Sequence, residues 1–106
     1  MFNINQLYTV VKKNKNRVVI RLADENHCIF QAHFPNDPLL PGFCHIEIVS
    51  EILSDTIEKV SLLKLRQKTV PNEEISYNIT TNGNKRKIKI LDRVEKLIGT
   101  ISYEYK

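Results

Sequence analysis

His33-Phe34-Pro35-Asn36-Asp37-Pro38-Leu39-Leu40-Pro41-Gly42-Phe43-Cys44-His45-Ile46-Glu47 decides how this chain is read. Three of the chain's four prolines fall within it, at 35, 38 and 41. Each fixes its own φ and biases its predecessor towards an extended shape, so the loop after His33 is stiff. Pro41 stands where a helix begins, its preferred first position. From Gly42 to about Lys59 the pattern is helical. Phe43, Ile46, Val49, Ser50, Leu53 and Ile57 fall on one side and Ile48 and Ile52 on a flank, leaving Glu47, Glu51, Ser54, Asp55 and Glu58 as a polar wedge. A helix apolar around most of its circumference is normally surrounded by protein.

Outward from this centre the chain is β-rich. Leu7–Lys12 and Arg17–Ala23 read as strands around an Asn14-Lys15-Asn16 turn, with Val18, Ile20 and Leu22 alternating against Arg17, Val19 and Arg21. Asp24-Glu25-Asn26 marks a turn, and Cys28–Phe30 is a short apolar run leading to His33. After the helix, Leu62–Val70, Glu74–Thr81, Lys85–Arg93 and Leu97–Tyr105 read as further strands. Asn82-Gly83-Asn84 is a strong hairpin signal. One long helix among several antiparallel strands packs on the concave face of a curled sheet, which gives an α+β class. No repeat, low-complexity tract or linker divides the chain, so residues 1–106 are expected to form a single domain.

Composition narrows the functional classes. The chain has 106 residues, 42% of them hydrophobic and 26% charged, as in ordinary globular proteins. No run of about 18 apolar residues suggests a membrane span. Met1–Val10 lacks a basic segment followed by an apolar one, so no secretion signal is expected and the reading is cytoplasmic. The two cysteines, Cys28 and Cys44, then read as reduced thiols. His27-Cys28, Cys44-His45 and Glu47 lack the spacing of a metal site, so no metal and no cofactor is expected, and His45 reads as a core or interface side chain. The net charge of +4 is mild and spread over several strands. A solvated face is the plain reading and an acidic protein partner the next. No motif for nucleic acid accompanies it.

Three chemical roles fall inside the opening stretch. His33 offers a base with an ordinary pKa near neutrality. Leu40 and Pro41 cannot cap the helix start with a side-chain oxygen, so amides at Gly42 or Phe43 are available to a carbonyl oxygen. Glu47, one turn inside the helix, offers an acid. A base, an oxyanion site and an acid are what loss of water from a β-hydroxy carbonyl compound requires. Phe30, Phe34, Leu39, Leu40 and Phe43 are candidates to line an acyl pocket. For each role a bland reading stays open: a packed histidine, a hydrated helix end, a solvated acidic stripe shared with Glu51 and Glu58, and ordinary core.

The spaced set His33-Phe34-Pro35, Pro38, Pro41-Gly42 and Glu47 resembles the hot-dog-fold 3-hydroxyacyl-acyl-carrier-protein dehydratases, and Val70-Pro71-Asn72-Glu73 is similar to that family's Val-Pro-Gly-Asp turn. Glu51 stands where many members have glutamine, and Asn36 where glycine is common. The resemblance is closest to short accessory members. It implies a hot-dog fold, a curled antiparallel sheet around one long central helix, and conversion of 3-hydroxyacyl thioesters to trans-2-enoyl thioesters in fatty-acid-like or specialised acyl or polyene synthesis. It further implies an acidic acyl carrier protein as partner and a homodimer or higher homo-oligomer in which His33 of one chain meets Glu47 of the other. A non-catalytic hot-dog module that binds acyl groups or carrier protein is the alternative, and an acyl thioesterase the third reading.

Overall fold

The computed structural model describes residues 4–106, so residues 1–3 of the expected domain lie outside the described residues. The elements run β1 (Tyr8–Lys13), β2 (Arg17–Leu22), α1 (Cys28–Ala32), α2 (Gly42–Leu53), β3 (Ile57–Leu65), β4 (Glu74–Asn82), β5 (Lys85–Leu91) and β6 (Leu97–Tyr105). The six strands form one antiparallel sheet in the order β1-β2-β4-β5-β6-β3. This is the curled sheet with a central helix expected from the sequence.

Period-two alternation explains which face is inside. Val18, Ile20, Ile75, Tyr77, Ile88, Ile90, Ile101 and Tyr103 pair across neighbouring strands and are all at most 1% exposed. They meet Cys44, Ile48 and Val49 of α2 in one core. A large apolar side chain buried this fully contributes about 1.5–3 kcal/mol, so the helix is held by its buried stripe rather than by its caps.

Several boundaries differ from the sequence reading. The residues before His33 form the short helix α1, because the His27 ring accepts a hydrogen bond from the Ile29 amide and starts a helical turn. The long helix stops at Leu53, not near Lys59. Ser54 takes the left-handed conformation (φ 55°), and the Ser54 and Asp55 amides close on the carbonyls of Glu51 and Ser50. The strand expected over 62–70 therefore begins earlier, at Ile57, and ends at Leu65. Residues 66–70 leave the sheet, and the Thr69 carbonyl there accepts from the Leu40 amide at 2.7 Å. Phe43, placed on the apolar side by periodicity, is half exposed, while Cys44, His45, Ile46, Ile48 and Val49 form the buried stripe.

β3 is an edge strand, and it lies over the start of α2. A Cβ at Gly42 would fall 2.7 Å from the Leu65 Cδ1 atom. A Cβ at Gly99 in β6 would fall 2.5 Å from the Lys64 carbonyl oxygen and 2.7 Å from Leu65 Cδ2. Leu65 thus sits between two glycines. Along the same strand Val60, Leu62, Leu63 and Leu65 are each about 40% exposed, an apolar edge of the kind that natural sheets usually cover.

Candidate active site

α1 ends at His33. The His33 amide donates to the Phe30 carbonyl at 3.3 Å, and its ring Nδ1 lies 3.0 Å from the Ile29 carbonyl. A carbonyl oxygen can only accept, so Nδ1 carries the hydrogen, and in the neutral ring Nε2 carries the lone pair. The half-buried ring stands edge-on to Phe34, with centroids 5.8 Å apart. The loop that follows is tied at both ends. Phe34 and Asp37 exchange backbone hydrogen bonds, Leu39 donates back to the His33 carbonyl at 2.7 Å, and Lys68 holds Asp37 at 2.8 Å. Its stiffness thus comes from these bonds as well as from its prolines.

Pro41 is the N-cap of α2, and no side-chain hydrogen bond caps the first turn. One turn on, Glu47 carries a buried carboxyl oxygen, Oε1, with no hydrogen-bond partner among the described residues. Glu47 lines a groove of about 760 Å³ together with Phe43, Glu51, Asp55, Ile57 and Val60. His33 is not among the described residues that line it.

Of the candidate acyl-pocket residues, Phe43 borders this groove. Phe30 (0% exposed) and Leu40 (2%) belong to the core, Leu39 is half-buried, and Phe34 is 54% exposed on the loop.

Other ionisable groups around α2 are accounted for by packing. Burial, with the charge of Glu47 adding to it, pushes the Cys44 thiol up to about 12, so it stays protonated and unreactive. Tyr8 donates its hydroxyl to Glu51, tying β1 to the helix, and burial followed by that hydrogen bond raises the phenol. His45 is wholly buried between the Tyr77 hydroxyl (2.8 Å from Nδ1) and the Thr69 hydroxyl (3.3 Å from Nε2), and burial lowers it to about 4. It is a core residue.

This fixes a pH dependence. The unfolded ring binds a proton below about 6.5, whereas the folded one resists until about 4. Stability should therefore be full above neutrality and fall progressively between pH 6.5 and 4. The loss approaches about 3 kcal/mol at the acid end. Denaturant titrations across that range check this, because His45→Gln should flatten that limb. An unchanged limb would assign it to other groups.

A second cluster went unread in the sequence. The Asp55 side chain is 3% exposed and accepts two hydrogen bonds from Arg86, at 3.0 and 2.9 Å, and one from the Tyr103 hydroxyl. The Arg86 guanidinium also lies 4.2 Å from the centre of the Tyr105 ring. These contacts hold the Asp55 carboxyl below its ordinary range against the opposing effect of burial. The available signal was parity: Arg86 shares the inward face of β5 with Ile88 and Ile90, which demands a buried partner.

Among the described residues no cluster of three or more metal-ligating side chains occurs, and no helix is long and apolar enough to cross a membrane.

A six-stranded antiparallel sheet curled around one long helix is the hot-dog arrangement. The chain belongs to the ApeI-like family, described as ApeI dehydratase, which it matches over residues 10–97. The 3-hydroxyacyl-[acyl-carrier-protein] dehydratase FabZ of Clostridium botulinum is 28% identical over a 106-position alignment, covering 88% of this chain and 71% of that protein. The bifunctional enzyme LpxC/FabZ of Bacteroides thetaiotaomicron is 28% identical over 76 residues, covering 58% of this chain and 16% of that protein. Among solved structures, the dehydratase heterocomplex ApeI:P from Xenorhabdus doucetiae superposes with a TM-score of 0.73 at 15% identity, covering 92% of this chain and 96% of that one. Smu.793 from Streptococcus mutans UA159, solved with acetyl CoA, gives a TM-score of 0.59 at 8% identity over 99% of this chain and 93% of that one. At these identities the structural likeness shows the fold.

Proposed function

We propose that this chain dehydrates 3-hydroxyacyl thioesters, presented on an acyl carrier protein, to trans-2-enoyl thioesters. The observation that carries the reading is the buried, unpartnered Glu47 oxygen in a groove beside an uncapped helix start. An orphaned buried carboxyl oxygen is costly unless something occupies the space it faces. In the proposed reaction, His33 Nε2 removes the C2 proton. The amides of Gly42 and Phe43 hold the thioester oxygen as it gains charge. Glu47 gives its proton to the departing C3 hydroxyl, which leaves as water, and proton return from His33 to Glu47 resets the site.

His33 and the Glu47 groove are not joined within one chain, and the edge of β3 beside Phe43 is apolar and exposed. We infer that a second chain covers this edge and supplies the complementary half of each site. Fatty-acid-like or specialised acyl or polyene synthesis is the setting we propose for this reaction, a reading that rests on the dehydratase family alone.

The test is incubation of purified protein with a carrier-bound 3-hydroxyacyl thioester, followed by mass spectrometry of the acyl group. Loss of one water, and its regain when the enoyl thioester is supplied, is expected. Tight binding without turnover would replace this reading with a non-catalytic binding module, and release of free carrier thiol with a thioesterase.

A further inference from the structure

The start of α2 has no side-chain cap, yet the proposed chemistry needs its amides held in one place. Two hydrogen-bonded legs converge on this corner, and both run through Thr69. The first is main chain. The Thr69 carbonyl accepts from the Leu40 amide at 2.7 Å, and Leu40 precedes Pro41, which biases it towards an extended shape. The second is side chain. The Thr69 hydroxyl lies 3.3 Å from Nε2 of His45, which stands in the first turn of the helix that Gly42 begins. On its far side the same ring meets the Tyr77 hydroxyl of β4 at 2.8 Å. Pro41 and Gly42 are thus bracketed, with the loop gripped on one side and the first helical turn on the other.

Thr69 is itself anchored. The Arg66 amide donates to the Ile98 carbonyl of β6 at 2.7 Å, and the Val70 amide donates to the Glu73 carboxylate at 3.0 Å. Lys68 holds Asp37 of the loop at 2.8 Å. The segment 66–70 therefore carries the position of the sheet to the head of the helix. Thr69, His45 and Tyr77 are all at most 1% exposed. Polar side chains sealed in an apolar core cost free energy that aliphatic ones would not. A chain of them with its hydrogen bonds made fixes one arrangement of the elements it joins. In a neutral imidazole one nitrogen donates and the other accepts. The phenol is the more acidic hydroxyl and makes the shorter contact, so it donates to Nδ1 and Nε2 donates to Thr69. Burial lowers the His45 pKa to about 4, so this bonding is kept at neutral pH.

We propose that Thr69, held by His45 and Tyr77, is a positioning residue that sets the Gly42 and Phe43 amides where a thioester oxygen needs them. The inference rests on the dehydratase reading and adds the residues that align its oxyanion site. None of the three touches substrate. Misplacing a reacting group by about 1 Å costs on the order of 10²-fold in rate, and removing one whole oxyanion donor about 10²–10³-fold, so a loosened corner should cost about tenfold.

The test is Thr69→Val, which keeps the shape and the carbonyl and removes the hydroxyl. On a carrier-bound 3-hydroxyacyl substrate it should lower kcat about tenfold and leave KM within about twofold, because the amide contacts strengthen chiefly as the oxygen gains charge. Thr69→Ser retains the hydroxyl and should restore the wild-type rate. The spectroscopic arm uses a saturated N-acetylcysteamine thioester, isotope-labelled at its carbonyl and matched in acyl length to the fastest substrate. Having no hydroxyl to lose, it stays bound unreacted. Its carbonyl stretch should fall below the free value in wild type and Thr69→Ser, and part of that fall should be lost in Thr69→Val. A purely structural role would lower Tm without moving that frequency. Wild-type kcat in Thr69→Val, or a wild-type carbonyl frequency, would overturn the positioning role and leave the dehydratase reading intact. Wild type that turns over no substrate would refute the dehydratase reading, and amide exchange then decides the clamp by itself. Exchange at the Leu40 amide should be about tenfold faster in Thr69→Val, measured relative to the core amides of β5. Equal protection overturns the clamp. If Thr69→Val melts below the assay temperature, Tyr77→Phe, which frees the other side of the ring, takes its place under the same readings.

Discussion

Replacing His33 with alanine should lower kcat for dehydration by about 10²–10⁴-fold while leaving the fold intact. The half-buried ring stands at the C-cap of a five-residue helix, outside the core cluster, and its Nδ1 donates to the Ile29 carbonyl. Its removal therefore leaves the core packing in place. What it takes away is a nitrogen with a fixed lone pair, because the Nδ1 hydrogen is committed to that carbonyl. The other two histidines cannot substitute. His27 uses Nδ1 to accept from the Ile29 amide and Nε2 to donate to the Asn5 carbonyl at 2.8 Å. His45 is sealed in the core. Glu47→Gln should produce a loss of the same order, since the amide keeps the shape and cannot deliver the proton. Steady-state rates on carrier-bound substrate, alongside thermal melts of each variant, provide the check. Wild-type turnover by His33→Ala would remove His33 from the mechanism.

Replacing Arg86 with methionine should destabilise the fold by about 3–5 kcal/mol, lowering Tm by about 12 °C or more. The reason is the neighbour left behind. Asp55 is almost fully enclosed, and Arg86 supplies two of the three side-chain hydrogen bonds that justify its charge. Tyr103 alone is a poor substitute for a guanidinium. The double variant Arg86→Met/Asp55→Asn should recover part of the loss, because the buried charge is gone. Thermal unfolding of the singles and the double measures this coupling directly. A single variant that melts within about 3 °C of wild type, less than a 1 kcal/mol change produces in a chain this size, would mean that water already solvates the pair.

Much of this architecture was legible because it depends on local rules. Alternation in Val18–Leu22, the Asn82-Gly83-Asn84 turn and the Pro41-Gly42 start each report a backbone preference that tertiary packing reinforces. Gly83, for instance, adopts the positive φ (62°) that its turn demands. The end of α2 was not legible, because helical periodicity runs on past Leu53. What stops it is a left-handed Ser54 and the capture of Asp55 by a strand far along the chain. The candidate site divides in the same way. His33, Gly42 and Glu47 were nominated from spacing and family resemblance. The tautomer of His33 and the unpartnered oxygen of Glu47 depend on neighbours that spacing does not reveal. Phe30 and Leu40 went into the core instead of the groove because aromatic and aliphatic residues look alike in sequence whichever side of a wall they line.

Leu65 behaves as a shim. Two of the chain's three glycines meet its two methyl carbons from opposite sides, one at the head of the helix and one in the sheet. The thickness of that single side chain thus sets the gap between the two layers at the point where thioester oxygen would be held. In the proposed mechanism a residue with no reactive group would thus govern the alignment, and a change of one methylene there would shift the helix head relative to the sheet before altering anything that touches substrate.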